Sequence, residues 1–144
     1  MICETCQSVY FEKAWHHSLD EDAKHLTDEK IEKAEIKFKT CPACQMKKDK
    51  AFEGELIIKM SGANPTIRQN VMSLLKNSDI QAMEKDPMDR ILWTEIKGND
   101  THVYTSENQL AVRMGKKLES AFKGSTLAIN HSKEEDLIRA TWEY

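Results

Sequence analysis

The sequence is poor in chain-breaking residues, with five glycines and three prolines in 144 residues. That excludes a collagen-like repeat or a long Gly/Pro-rich tail. No stretch approaches the roughly 20 apolar residues that cross a bilayer, so no membrane contact is expected. The start, Met1-Ile2-Cys3-Glu4, has no basic region followed by an apolar run, and the chain reads as cytoplasmic. Charge of neither sign is in excess. The formal net charge is −3, and residues 1–50 carry nine Lys/Arg against ten Asp/Glu, the remainder twelve against fourteen. A protein that grips nucleic acid mainly by neutralising phosphates carries a basic surplus, so this balance argues against a large footprint and leaves room for a small patch.

Short catalytic motifs are missing as well. There is no Gly-x-x-x-x-Gly-Lys-Ser/Thr run, no Gly-x-Gly-x-x-Gly after a strand and no Gly-x-Ser-x-Gly elbow. The most specific polar cluster, Asp86-Pro87-Met88-Asp89-Arg90, reads as a helix stop and turn with a local ion pair. Nothing assembles a catalytic set, and a non-enzymatic protein is expected.

What is present is sharply placed. All four cysteines fall in two Cys-x-x-Cys pairs, Cys3/Cys6 and Cys41/Cys44. Each such turn sets two thiolates on one side of a loop, and two facing loops complete a tetrahedron of soft ligands, the set that suits zinc. Four protein ligands leave no open position, so one structural Zn2+ per chain is expected. Iron has the same S4 geometry available to it. Disulfides are disfavoured in a reducing compartment, and a redox pair needs only one Cys-x-x-Cys. The glycine usual after the second cysteine of each turn is replaced by Gln7 and Gln45. A Zn(Cys)4 unit carries a formal charge of −2, and Lys47 and Lys48, directly after the second pair, are placed in sequence to offset it. His16, His17 and His25 invite a second metal site, but adjacent histidines on a strand face opposite ways, and a polar strand end is the plainer reading.

Around the pairs, Val9–Phe11 and Ile36–Lys39 read as short strands. The charged segment from Ser18 to Glu35, with Ile31 and Ala34 at helical spacing, reads as a solvated helical insert. Past Lys50 the pattern changes to an apolar strand from Glu55 to Met60. A helix capped by Asn64-Pro65 follows, then a short second helix from a Ser78/Gln81 capping box, ended by Pro87. Arg90–Lys97 and His102–Thr105 form a hairpin about Gly98-Asn99. Ser106/Gln109 open a helix with an apolar stripe of Leu110, Met114, Leu118 and Phe122. Strands at Thr126–Asn130 and Leu137–Trp142 close the chain.

This order predicts an α+β protein: a four-cysteine zinc ribbon with a charged helical insert over 1–51, then a ferredoxin-like βαββαβ domain over 52–144 with the last strand added at the sheet edge. Such sheets bind RNA through aromatics on central strands. Tyr104 is the candidate here, while Trp93 and Trp142 fit core packing.

The runs IIKMSG (57–62), EKDPMDRI (84–91), YTSENQLAVRMG (104–115) and RATW (139–142) resemble a bacterial family of unassigned activity whose members carry an N-terminal zinc ribbon. More distantly, Tyr104-Thr105-Ser106 and the helix containing Ala111 resemble the adaptor family that exports large ribosomal subunits. That resemblance implies ribosome binding without catalysis. Together with Lys47, Lys48, Lys50, Lys116 and Lys117, it points to RNA or a ribosomal particle as partner, with Lys47, Lys48 and Lys50 as the contact residues. A protein–protein adaptor is the alternative, and the net acidity favours it.

Overall fold

The computed structural model describes residues 1–33 and 35–144. Ala34, which the sequence assigns to the insert helix, lies outside them. Near the N-terminus β1 (Val9–Phe11) and β2 (Ala14–His16) form a tight hairpin with Val9 opposite His16. Its turn residues, Glu12 and Lys13, hold φ of 50° and 65°, the left-handed geometry that matches the twist of a two-residue hairpin loop. The insert is helical as expected: α1 (Glu21–Glu32) is capped by Asp20, whose carboxylate accepts the Ala23 N–H at 3.1 Å. Ala23 is its one buried residue, so the helix is solvated nearly all round.

Ile36–Lys39 does not become a strand. Phe38 meets Ile2 only through an isolated bridge, and its ring is 66% exposed. The second cysteine pair also departs from a ribbon, because it opens a helix, α2 (Pro42–Asp49). Proline at the first helical position has no N–H to leave unpaired, and its fixed φ suits the helix. The N-terminal unit is therefore a knuckle, a hairpin and two helices.

The remaining strands are β3 (Gly54–Lys59), β4 (Ile91–Lys97), β5 (Asp100–Thr105), β6 (Thr126–Ser132) and β7 (Leu137–Glu143). They build one sheet in the order β4-β5-β3-β7-β6. The helices α3 (Pro65–Lys85) and α4 (Asn108–Ala121) supply the apolar cover. The expected break at Ser78 is absent. Its hydroxyl donates to the Leu74 carbonyl at 2.9 Å, one turn back, and α3 runs on until Asp86, just before Pro87. Ser106 does not cap α4 either, since its hydroxyl takes the Arg90 N–H at 2.9 Å.

The strand order corrects the expectation of a ferredoxin-like sheet with the last strand at its edge. β7 lies parallel to β3, inside the sheet, and β6 is the edge. The reason is the distribution of apolar side chains. β7 buries Ile138, Ala140 and Trp142 on alternate positions, whereas β6 leaves all but Leu127 exposed. Burying the more apolar strand gains more, and an edge tolerates the polar one. Leu56, Ile58, Val103 and Trp142 of the sheet meet Val71 of α3 and Leu110, Met114 and Leu118 of α4 in a core of fully buried side chains.

The opposite sheet face holds a polar group. Glu55 is 5% exposed, with His102 Nδ1 2.7 Å from one carboxylate oxygen and Arg139 Nε donating to the other at 2.8 Å. Burial pushes the Glu55 carboxyl up, but the His102 and Arg139 contacts outweigh it and hold the pKa below the ordinary glutamate value. A lowered folded pKa contributes stability above the unfolded pKa, lost as pH falls through the folded one. Glu55→Gln is expected to cost about 1.5–3 kcal/mol at neutral pH. The gap to the parent should close as pH drops below about 4, near the ordinary glutamate value. Denaturant unfolding across pH measures both. Leu118, at 0% exposure, should cost about 2–5 kcal/mol on truncation to Ala. A change below about 0.5 kcal/mol is what a surface position gives and would contradict this packing.

Candidate metal centre

Two unlike pieces of backbone deliver the four sulfurs. At the first pair, Gln7 N–H donates to the Cys3 carbonyl at 2.9 Å, and Gln7 itself holds φ of 66°. The knuckle thus forms with glutamine in the left-handed conformation where glycine is usual, at a cost that the closed turn must offset. At the second pair no such residue is needed. Cys41 is the N-cap of α2, its sulfur accepts the Cys44 N–H at 3.5 Å, and Gln45 continues as ordinary helix. The Cys41 N–H donates to Cys3 Sγ at 3.3 Å, tying one loop to the other.

Cys3, Cys6, Cys41 and Cys44 come together as expected, with the sulfurs all within 4.8 Å of one another. None is in a disulfide. Cys6 and Cys41 sulfurs stand 3.7 Å apart. Four sulfurs at about 2.3 Å from a central ion are separated by roughly 3.8 Å, so this pair stands at the separation a coordination tetrahedron requires and far from a bond between sulfurs. Cys3 and Cys41 are fully buried and Cys44 is 8% exposed. The electrostatics favour a cation. Burial first, then hydrogen bonds and charge from neighbouring sulfurs, raises the Cys44 thiol pKa, and burial is the leading cause that raises Cys41. Burial also works against ionising Cys6, but contacts with Ser8 and then Arg90 bring it down to about 6. Holding all four as thiolates is costly without added positive charge, which a bound metal would supply. The cluster is suited to one metal ion, consistent with zinc.

The compensating protein charge comes from elsewhere than the sequence suggests. Lys47 and Lys48 sit in the last turn of α2, exposed, while Cys41 and Cys44 begin that helix. At about 1.5 Å per residue the two lysines lie about 9–11 Å beyond Cys41 and about 5–6 Å beyond Cys44 along the axis. Arg90 is the cation that reaches the sulfurs: Nη2 lies 3.5 Å from Cys6 Sγ and Nη1 3.7 Å from Cys44 Sγ. The sequence predicts an ion pair within the Asp86–Arg90 turn. In the structure Asp89 is instead bound by Arg113 at 2.7 Å, and Asp86 accepts the Met88 N–H at 2.9 Å. No spacing rule links residue 90 to residues 6 and 44; only the packing does.

That packing is apolar. Cys3, Cys41, Ala43 and Cys44 form one cluster with Leu92 of β4, flanked by Trp15, Met46, Phe52, Met88 and Trp93. The register of β4 against β5 shifts between Ile91 and Trp93. This bulge breaks the alternation of the strand. Ile91 joins the helix-side core, while Leu92 and Trp93 both pack toward the cysteines.

The other nominated residues fall outside this centre. His16 Nε2 lies 3.2 Å from the Phe11 carbonyl and His17 Nδ1 accepts the Leu19 N–H at 3.0 Å, each serving its own turn. Tyr104 is 5% exposed beneath Trp93, with the two rings stacked at 4.7 Å, so it offers no open stacking surface. Trp142 is in the main core, as expected, and Trp93 packs toward the metal module. Lys50 is exposed, with its ammonium 4.6 Å from the Trp93 ring centroid. Among the described residues, no helix is long and apolar enough to cross a membrane.

No family model matches the chain, and neither the curated proteins nor the solved structures give a relative. The class is therefore set by the fold and the site alone: an α+β protein with a four-cysteine cluster that could hold one metal ion.

Zinc content near one per chain is expected by elemental analysis. Cys41→Ser should lose that metal, and with it the amide protection of residues 1–50, while the core around Leu56 and Trp142 stays folded. Because the thiols must shed protons to bind, metal affinity should rise with pH and binding should release acid, measurable by calorimetry in buffers of different ionisation enthalpy. Purified protein without zinc or iron would remove the metal reading.

Proposed function

We propose that the chain is a non-enzymatic structural-zinc protein that binds RNA or a ribosomal particle, using Lys47, Lys48 and Lys50. One observation carries this reading. The three lysines are exposed at the end of a helix whose first turn supplies two of the four sulfurs. A short helix in isolation frays, but one clamped by metal at its start holds the charges at its far end in fixed relation. Such a preset patch loses less conformational entropy on binding than three lysines on a loop. The net charge of −3 counts against a large footprint and leaves room for a small patch of this kind. The resemblance to ribosome-export adaptors supports the same class of partner.

The contact is one of charge rather than base stacking, because Tyr104 is covered and Lys50 sits over Trp93. Neutralising Lys47, Lys48 and Lys50 together should lower the slope of log affinity against log salt by up to about 2–3 units, since each phosphate contact contributes roughly 0.7–0.9. The triple variant should retain its metal, which separates lost charge from lost fold. Pull-downs from lysate with and without nuclease identify the partner class. A partner that survives nuclease and is a protein would replace this reading with that of a protein–protein adaptor.

A further inference from the structure

We propose that Arg90 is an outer-shell member of the metal centre, and that through it the bound metal holds the N-terminal module against the sheet. The inference rests on the metal reading of the cysteines and is independent of the RNA proposal.

The guanidinium spans the two cysteine pairs, with one nitrogen on Cys6 and another on Cys44. Neither contact is local, since Arg90 is 84 residues from Cys6 and 46 from Cys44. The side chain is also aimed before the sulfurs arrive. Its Nε donates to the Pro87 carbonyl at 2.7 Å, and Nη2 contacts the same oxygen. Its backbone is pinned on both sides, because the Arg90 N–H donates to Ser106 Oγ at 2.9 Å and the Ser106 N–H donates to the Arg90 carbonyl at 3.0 Å. Asp79 of α3 fixes the next residue by accepting the Ile91 N–H at 2.7 Å. The sheet therefore presents a rigid cation at one position, and the module supplies sulfur acceptors there.

Two consequences follow from that geometry. A divalent ion with four thiolates is a buried anion, and a buried charge without a partner is costly. Arg90 is that partner, so its removal should weaken metal binding even though it touches no metal. Conversely, the metal is what keeps Cys6 and Cys44 on one guanidinium. Once the ion leaves, the two pairs are free to separate, and the remaining ties are apolar, with Leu92, Met88 and Trp93 in one cluster with Cys3, Cys41, Ala43, Cys44, Met46 and Phe52. Metal occupancy thus sets whether the module is docked on β4 or released from it.

The test uses the full chain loaded with zinc or cobalt. Arg90→Met should bind zinc about 10–100-fold more weakly in chelator competition, the usual effect of losing an outer-shell partner. Its cobalt form should keep the absorption of a four-sulfur tetrahedral site. Hydrogen exchange should show faster amides in α2 and at Leu92–Trp93, with Leu56–Ile58 unchanged. Arg90→Lys keeps a charge but has no planar fork to bridge two sulfurs, and should recover only part of the affinity. If Arg90→Met does not fold, the parent protein answers the question. Stripping its metal with a chelator should deprotect α2 and Leu92–Trp93 while the sheet core holds. Unchanged zinc affinity and unchanged α2 protection in Arg90→Met would overturn the proposal, as would a stripped parent whose α2 and β4 amides exchange no faster than when loaded. A parent that takes up no metal would remove the metal reading and this proposal together.

Discussion

The structure turns on four sulfurs that stand within 4.8 Å of one another although they come from loops 35 residues apart. The N-terminal unit cannot meet that demand with hydrophobic burial. Its apolar cluster consists of the cysteines, Ala43, Trp15 and Met46 of its own, together with Leu92, Met88 and Trp93 borrowed from elsewhere. Units of about 50 residues with so little core are ordinarily held by metal or by crosslinks. The features around the cysteines serve this closure: the left-handed Gln7, the Cys41 cap of α2, the Cys41 N–H to Cys3 hydrogen bond and the bulge that turns Leu92 toward the cluster.

The main sheet obeys a different constraint. Its order follows from which strands carry enough apolar surface to be buried. β3 and β5 are central, and β7 displaces β6 from the place beside β3 because it brings Ile138, Ala140 and Trp142. The displaced strand keeps its hairpin with β7 and accepts the exposed edge. The Arg139 side chain reaches Glu55 from β7, so the inner position also completes the charged group with His102. A buried carboxylate needs such partners, and the strand swap provides one of them.

These two regions meet at β4, and the meeting is electrostatic as well as apolar. Arg90 emerges just before the strand and Leu92 from its bulge, so three consecutive residues serve the cysteine cluster, the helix-side core and the cluster again. α2 then leads on from the cysteines and exposes its lysines in its last turn, where Lys47 and Lys48 also offset the partial negative charge of the helix C-terminus. One helix thus carries two of the four clustered cysteines at its start and exposed lysines at its end.

Local chemistry was legible in the amino-acid sequence. Cys3, Cys6, Cys41 and Cys44 are nominated by spacing alone, because a two-residue gap fixes the geometry of each pair whatever surrounds it. The insert helix, the Gly98-Asn99 hairpin, the Asn64 cap and the stripe of α4 follow equally from short-range rules. Three further features were decided by contacts that no local rule contains. Ser78 and Ser106 read as helix starts because their spacing matches a capping box, but a hydroxyl bonds whichever partner the tertiary fold offers. The β6–β7 hairpin is readable, yet a hairpin can dock by either strand, and only the competition for the place beside β3 settles which. Lys47 and Lys48 neighbour the second cysteine pair in sequence, and α2 turns them to an exposed surface, while Arg90 arrives from the start of β4, 46 residues beyond Cys44. Charge compensation acts through space, so the sequence determined the ligands and the tertiary structure chose their counter-ion.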